Sequence, residues 1–135
     1  MEIRPARRDD LTAIDEFLRP FVEARQVLGR TTDEMTYLLT TSFVAEDEGR
    51  LVGFASLEIY SMKLAEVRSL AVDAGYRGGG VGQRLVEACV DLARSKGVYE
   101  VMAITAAEAL FTRCGFDAAL PNQKKALFVR TRDQA

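Results

Sequence analysis

A glycine-rich run between an apolar strand-like segment and an amphipathic helical segment limits what this chain can fold into more than any other feature. Residues 76–84 have the sequence Tyr-Arg-Gly-Gly-Gly-Val-Gly-Gln-Arg. A helix that begins near Gly80 leaves its first backbone N–H groups unpaired, and its dipole places partial positive charge at that end. No carboxylate occurs in this helix before Glu87, and the glycines lack the Cβ atoms that would keep an anion away from the amides. The run therefore indicates a pyrophosphate-binding loop, the alternative being a flexible turn before a capped helix.

The spacing of the glycines excludes two common phosphate-binding signatures. A P-loop requires Lys and then Ser or Thr after its last glycine, but Gly82 is followed by Gln83 and Arg84. A dinucleotide-binding fingerprint requires a third small residue, and that position holds Gln83 or Leu85. The remaining pattern is Arg-x-x-Gly-x-Gly over residues 77–82, preceded by an apolar segment that ends in Leu-Ala-Val.

Composition narrows the class of protein. The chain has 135 residues and a net charge of -2. We expect one domain over residues 1–135, with neither nucleic acid nor a membrane surface as a partner, because no tract is dense in Lys or Arg. The absence of His, with two Cys, argues against a metal site, a disulfide framework and any His-dependent mechanism. No segment resembles a signal peptide or a bilayer-spanning run, so we predict a soluble cytoplasmic enzyme.

Hydrophobic periodicity predicts a chain that mixes helices and strands. Strands are predicted over residues 2–5, 43–46, 50–60, 64–72, 98–105 and 126–132, and helices from residues 8–10, from 31–34, after the glycine run and over 106–114. Pro20 is expected to bend or end the first helix, and Thr31 with Glu34 forms a capping box at the second. This order is typical of an α/β or α+β protein with three layers.

The Arg-x-x-Gly-x-Gly pattern after a Leu-Ala-Val strand end resembles the cofactor motif of the GNAT superfamily of acetyl-CoA-dependent N-acetyltransferases, and the resemblance extends along nearly the whole chain. It implies a GNAT-like three-layer αβα sandwich whose mixed sheet contains a splayed pair of parallel strands, 64–72 and 98–105. It also implies acetyl-CoA (coenzyme A) as the cofactor, with the pyrophosphate on the glycine loop and the pantetheine arm against free backbone groups of the first of these strands. The implied cofactor-binding residues are Leu70, Ala71, Val72, Arg77, Gly78, Gly79, Gly80, Val81, Gly82, Gln83 and Phe111.

Acetyl transfer to an amine needs a base, because amines with pKa values of roughly 8 to 10 are mostly protonated near neutrality. GNAT enzymes often place a general base on the strand before the glycine loop, and the resemblance assigns that catalytic role to Glu66, which would otherwise be an outward-facing strand carboxylate. A Tyr four residues before a Gly-Phe pair commonly protonates the leaving thiolate in this family. Here Phe111 holds that position, so the acid is unassigned. Cys114 is a possible acid but is expected to be a small apolar-like residue packed beneath the cofactor, and solvent remains available.

Three further segments are similar to the acetyltransferase domain of bacterial N-acetylglutamate synthases. They are Ala65-Glu66, Leu18-Arg19-Pro20 and the tail Leu120-Pro121-x-x-Lys124-Lys125-x-Leu127. This resemblance implies that basic side chains face the carboxylates of an amino acid, because a guanidinium grips a carboxylate through two hydrogen bonds. The implied substrate-binding residues are Arg30, Arg68, Lys125 and Arg132, which would otherwise be solvated surface groups. Gly29 and Ala107 stand where that family would have Arg and Ser.

These observations predict an N-acetyltransferase that acts on a primary amine of a small molecule, with the α-amine of glutamate or a related amino acid favoured. Two alternatives stay open. The first is a GNAT enzyme for another amine, such as a polyamine, an antibiotic or a peptide, and the second is a CoA-binding sensor without turnover. A homodimer formed through the last strand is expected by analogy with the family.

Overall fold

The computed structural model describes residues 1–117 and 127–133, and within them helices and strands belong to one sheet-centred architecture. The strands are β1 (Glu2–Pro5), β2 (Ser42–Asp47), β3 (Arg50–Ser61), β4 (Leu64–Val72) and β5 (Glu100–Met102). The α-helices are α1 (Leu11–Glu23), α2 (Thr32–Leu38), α3 (Val81–Ser95) and α4 (Glu108–Arg113). The sheet has the order β1-β2-β3-β4-β5 and is antiparallel except for the parallel β4–β5 pair. This mixed sheet confirms the predicted fold class.

Helices cover both faces of the sheet and produce three layers. The apolar stripe of α3 packs on one face, where Leu85 contributes to a core that includes Leu57 of β3. Helices α1 and α2 pack on the other face, where Leu18 and Met35 join a core that includes Phe54. Among the helices of the described ranges, none combines the length and the apolarity needed to cross a membrane.

Strand β4 contains a β-bulge close to its middle. Two of its residues, Ser69 and Leu70, lie opposite the single β3 residue Ala55, because the register shifts at that point. Ser69 has a φ of +58°, in the left-handed region that side chains other than glycine rarely adopt. Such bulges redirect a strand and its side chains, and they are frequent beside active sites.

The parallel pairing of β4 with β5 is short. It joins Leu64, Ala65 and Glu66 to residues 100–102, and the ladder then ends. Beyond Glu66, the side of β4 that faces β5 has no strand partner in the described part of the chain. The two parallel strands therefore separate at this point, as the resemblance implied.

Pro20 was expected to bend or end helix α1, and it does not end the helix, which continues to Glu23. A proline removes one backbone donor, and here the carbonyl that loses its partner belongs to Glu16, an exposed residue. The helix resumes normal bonding after the proline, since the Ala24 amide donates to the Pro20 carbonyl at 3.0 Å.

The predicted strand and helix near the end of the chain are only partly correct. β5 covers residues 100–102 rather than 98–105, and α4 begins at Glu108 rather than at residue 106. The predicted final strand over 126–132 is wrong for residues 127–132, which are exposed and carry no strand, while residue 126 lies outside the described ranges. An alternating apolar pattern needs a neighbouring strand to become a β-strand, and residues 127–132 pair with none in the described part of the sheet.

A buried ion pair fixes β1 to the start of α1. Both Nη atoms of Arg4 donate to the Asp10 carboxylate, at 2.8 and 2.9 Å, and both residues are more than nine-tenths buried. The Arg4 hydrogen bond is the largest cause that holds the pKa of Asp10 below its usual value, with burial opposing it. Because the pKa is lowered by folding, the contribution of the pair to stability is present above about pH 4 and is lost as the pH falls through the folded-state pKa.

Replacing Asp10 with Asn is expected to lower the free energy of unfolding by about 2 kcal/mol at pH 7, since Asn keeps an acceptor oxygen but loses the charge. Urea denaturation at several pH values measures this, and the difference from the wild type should shrink below about pH 4. Asp15→Asn on the same helix is the matched control, because the Asp15–Arg19 pair is exposed and should contribute little. Equal losses in the two variants would show that burial of the pair is unimportant.

Candidate functional site

The glycine run forms the turn between β4 and α3. Gly80 directly precedes the helix with a φ of +84°, and Gly78 has a φ of +81°. The intrahelical bonds begin with the Arg84 amide, which donates to the Gly80 carbonyl, so the preceding amides have no partner within the helix. The first turn of α3 contains no acidic residue. The loop thus offers backbone donors and uncompensated positive charge, as an anion site requires.

An open cavity of about 560 Å³ adjoins this loop. Its walls come from the end of β4, the glycine loop, the first turn of α3, the end of α1 with its following loop, and α4. The lining residues are Phe21, Gln26, Leu70, Ala71, Val72, Tyr76, Arg77, Gly78, Gly80, Val81, Gly82, Gln83, Ala107, Leu110 and Arg113. The structure therefore brings most of the predicted cofactor-binding residues to one cavity.

Two of the predicted cofactor-binding residues do not line this cavity. Gly79 lies in the exposed part of the loop. Phe111 is only 5% exposed and packs in the core, where its ring meets that of Phe116 edge-on with centroids 5.1 Å apart. Cys114, expected beneath the cofactor, packs against that core and is half-buried.

Gly82 keeps the cavity wall close to α4. A Cβ atom at this position would lie 2.9 Å from Leu110 Cδ1 of α4 and 3.6 Å from Val72 Cγ2 of β4. The absence of a side chain here allows the start of α3 to approach both elements. The width of the cavity beside the first turn of α3 depends on this contact.

The glycine loop is tied to the hairpin turn between β2 and β3. The Tyr76 hydroxyl donates to the Asp47 carboxylate at 2.5 Å, and this bond is the largest cause that lowers the pKa of Asp47. Arg50 places its guanidinium carbon 5.8 Å from the centre of the Tyr76 ring and donates to Asp73 at 3.3 Å. Residues 47–49, which lie between two predicted strands, gave no indication of this restraint on the glycine loop.

A second group of functional candidates lies on the sheet face that carries α1 and α2. We refer to it as the polar cluster, and its members are Arg30, Glu58, Tyr60, Glu66, Arg68 and Ser69. Their strand neighbours Leu57, Ala65 and Val67 point into the core under α3, which places the cluster on the opposite face. Arg30 reaches it from the loop between α1 and α2, and Ser69 belongs to the β4 bulge beside Leu70 of the cavity. The cluster and the cavity therefore meet at the bulge.

Hydrogen bonds connect the members of the polar cluster. Arg68 Nη1 donates to Glu58 Oε1 at 2.9 Å, and Arg30 Nε donates to Ser69 Oγ at 3.3 Å. Tyr60 donates through its hydroxyl to Glu66 Oε1 at 2.5 Å. Two of the residues predicted to bind substrate, Arg30 and Arg68, are thus assembled close to the predicted base.

Arg30 is held in an electrostatically unfavourable environment. Its side chain is 10% exposed, and burial, followed by the charge of Arg68, lowers the pKa of its guanidinium. Arg30 Nη2 lies 3.8 Å from Glu58 Oε1, too far for a hydrogen bond, and this buried nitrogen has no acceptor within the described ranges. Two guanidinium groups therefore share one carboxylate oxygen, and an additional anion beside Arg30 would be stabilising.

The other two residues predicted to bind substrate are placed differently. Arg132 is exposed and lies outside the polar cluster, near the start of α2. Its charge is a minor cause of the lowered pKa of Glu34, which is held down mainly by the backbone amide and side-chain hydroxyl of Thr31. Lys125 lies outside the described residues, as does most of the tail that resembled the synthases.

Sequence reasoning missed the role of Tyr60 and the bridging position of Glu58. A signal for Glu58 was present, because Glu58 and Glu66 belong to the two strands of one hairpin, with its turn at residues 62–63, and they face each other across it. In an antiparallel sheet, polar residues at alternating positions mark a face that is not packed as core.

A mixed sheet that opens between two parallel strands, with a glycine loop and a cavity at the opening, is the architecture of a CoA-dependent acyltransferase. Residues 9–116 match the Acetyltransferase (GNAT) family, and the chain belongs to that family. The protein is therefore an N-acetyltransferase that uses acetyl-CoA. The lack of an acidic residue in the first turn of α3 and the open cavity beside it fit a CoA pyrophosphate and its arm.

Similar proteins of known sequence or structure agree with this membership. An uncharacterized N-acetyltransferase of Chlorobaculum tepidum is 32% identical over 114 residues, which cover 84% of this chain and 74% of that protein. Rv2747 from Mycobacterium tuberculosis, in complex with CoA and NLQ, superposes with a TM-score of 0.78 at 26% identity, over 93% of this chain and 77% of that chain. N-acetylglutamate synthase from Neisseria gonorrhoeae, complexed with coenzyme A and N-acetyl-glutamate, has a TM-score of 0.74 at 26% identity, over 83% of this chain and 27% of that chain.

Proposed function

We propose that this protein acetylates the α-amine of a small amino acid, with glutamate as the first candidate acceptor. We also propose that residues 1–135 act as a single acetyltransferase domain. The observation that carries the substrate proposal is the buried Arg30 guanidinium, whose Nη2 has no acceptor within the described residues and which lies beside Arg68. A carboxylate on the acceptor supplies the missing anion.

The glycine loop and β4 are proposed to hold the cofactor. The unpaired amides at the start of α3 and the Arg77 guanidinium bind the pyrophosphate, which carries two negative charges. Backbone groups of Leu70, Ala71 and Val72, which have no β5 partner, bind the amides of the pantetheine arm. Acetyl-CoA, when bound, supplies an acetyl thioester that an amine can attack.

The polar cluster is proposed to hold the acceptor. The α-carboxylate lies between Arg30 and Arg68, whose shared counter-ion among the described residues is Glu58, and the neighbouring ammonium faces Glu66 two residues earlier on β4. Residues two apart on a strand lie on the same face, roughly 7 Å apart. At that separation, one side chain can bind the carboxylate of an amino acid while the other binds its ammonium. Opposite charges on the acceptor thus match opposite charges in the cluster.

Glu66 is proposed to act as the general base. It takes a proton from the acceptor ammonium, and a backbone N–H near Val72 would donate a hydrogen bond to the carbonyl oxygen of a bound thioester. The freed amine would take the acetyl group and release its second proton to solvent as the carbon–sulfur bond breaks. Phe111 has no proton to donate and is buried, so the leaving sulfur takes its proton from solvent.

The test of this proposal is mass-spectrometric detection of N-acetyl products from acetyl-CoA. Glutamate, other amino acids, a polyamine, an amino sugar phosphate and an amine-bearing peptide are offered separately, and each active amino acid is compared with its α-amide. We expect product from an amino acid and much less from the amide, which keeps the amine but lacks the carboxylate. Product from a polyamine or peptide alone would contradict the proposed substrate class but not the acetyltransferase activity.

Replacing Arg30 with Met is expected to raise the KM for the amino-acid acceptor roughly 10- to 100-fold, because one charge-assisted carboxylate contact is lost. The KM for acetyl-CoA should stay unchanged, since Arg30 does not line the cavity beside the glycine loop. Steady-state kinetics with each substrate varied in turn measures both values. Arg19→Met is the matched control, because Arg19 is mostly exposed and pairs only with Asp15 on α1 within the described residues. Equal effects of the two variants would remove Arg30 from the acceptor site.

A further inference from the structure

Tyr60 is aimed at Glu66 by an irregularity in β3. Ile59 faces Ala65 and Ser61 faces Leu64, so Tyr60 is an extra residue on β3 with no partner of its own on β4. An extra residue of this kind forms a bulge and redirects its side chain. The Tyr60 hydroxyl donates to Glu66 Oε1 at 2.5 Å, a length typical of a hydrogen bond from a hydroxyl to a carboxylate.

We propose that Tyr60 is a positioning residue that holds the Glu66 carboxylate in its productive orientation. Binding of Oε1 by Tyr60 stops rotation of the carboxylate and leaves Oε2 for the acceptor ammonium. Tyr60 acts through Glu66 and not directly on the acceptor. The gap lies between β4 and β5, whereas Tyr60 belongs to β3, on the far side of β4. This inference rests on the proposed role of Glu66 as the base.

The Tyr60 hydroxyl remains a donor over the whole range in which the enzyme would work. Burial, followed by the hydrogen bond to Glu66, raises the pKa of Tyr60 to about 12. The negative charge of Glu58 acts in the same direction, whereas the positive charge of Arg68 opposes it. The bond to Glu66 therefore keeps its donor at neutral and moderately alkaline pH.

The test is the Tyr60→Phe variant, with Tyr99→Phe as the control because Tyr99 is 85% exposed, whereas Tyr60 is 49% exposed. We expect kcat to fall about 10-fold with unchanged KM values, using acetyl-CoA and the most active acceptor of the panel. Thiol release with each substrate varied in turn gives kcat and both KM values.

Three outcomes separate this inference from the function on which it rests. A kcat that does not fall in Tyr60→Phe, while Glu66→Gln is inactive, would overturn the role of Tyr60 alone. Full activity of Glu66→Gln would overturn the base and the positioning role together. A Tyr60→Phe variant that raises only the KM for the acceptor would make Tyr60 a substrate contact rather than a positioning residue.

Discussion

Glu66→Gln is expected to lower kcat about 10²- to 10⁴-fold, because the amide cannot take a proton from the acceptor ammonium. The substitution keeps the size of the side chain and an oxygen that can accept from Tyr60, so the fold should be unaffected. The affinity for acetyl-CoA should be unchanged, since Glu66 does not line the cavity beside the glycine loop. Thiol release during turnover measures the first quantity and isothermal titration calorimetry measures the second.

The control for Glu66→Gln is Glu100→Gln. Glu100 is an exposed strand carboxylate on β5, paired in register with Leu64 at the start of β4. Its loss changes the net charge by the same amount without touching the polar cluster. If the two variants turn over at the same rate, the base is another group or water. If neither the variants nor the wild type turns over any acceptor while CoA still binds, the alternative of a CoA-binding sensor is favoured.

The parts of the fold that the sequence predicted depend on local signals. β4 was predicted with the bounds 64–72 that the structure has, because apolar and polar residues alternate over 65–68 and the segment lies between a turn and the glycine run. The start of α2 was predicted from Thr31 and Glu34, and both bonds of the capping box are present. The anion-binding character of the loop also follows from nearby residues, since a helix start without acidic side chains is visible in the sequence.

The parts that could not be predicted depend on contacts between distant segments. Nothing next to Ser69 in the sequence indicates its left-handed backbone, which arises where the register of β3 and β4 shifts. The contact of Arg30 with Ser69 joins residues 39 positions apart, so its geometry depends on how the loop between α1 and α2 packs on the sheet.

The polar cluster shows why a list of charged residues is insufficient to predict a site. The resemblance implied roles for Glu66, Arg30 and Arg68 one residue at a time. In the structure, the charge that each offers to an acceptor depends on its neighbours. Glu58 is the common counter-ion of both arginines, and Tyr60 occupies one oxygen of Glu66. These neighbours determine how much charge is left for an acceptor, and they were identified only from the register of β3 with β4.

Gly80→Ala is expected to weaken acetyl-CoA binding about 100-fold, because the φ of +84° at this position costs a side-chain-bearing residue roughly 1 to 2 kcal/mol. Relief of that strain turns the amides at the start of α3 away from the pyrophosphate, and each lost bond to a charged oxygen costs about 1.5 kcal/mol or more. Titration calorimetry measures the affinity. Gly97→Ala is the matched control, since Gly97 lies just beyond the other end of α3 with a φ of +75° and room for a methyl group.

Both glycine variants should lose a similar free energy of unfolding, but only Gly80→Ala should lose affinity for the cofactor. A further comparison isolates the pyrophosphate, because acetyl-pantetheine has the same thioester and arm without the diphosphate. Wild type and Gly80→Ala should use acetyl-pantetheine equally well, since the amides at residues 80–83 have no phosphate to bind in that substrate. If Gly80→Ala is equally impaired with both thioesters, the loop supports the fold of the cavity and does not bind the pyrophosphate.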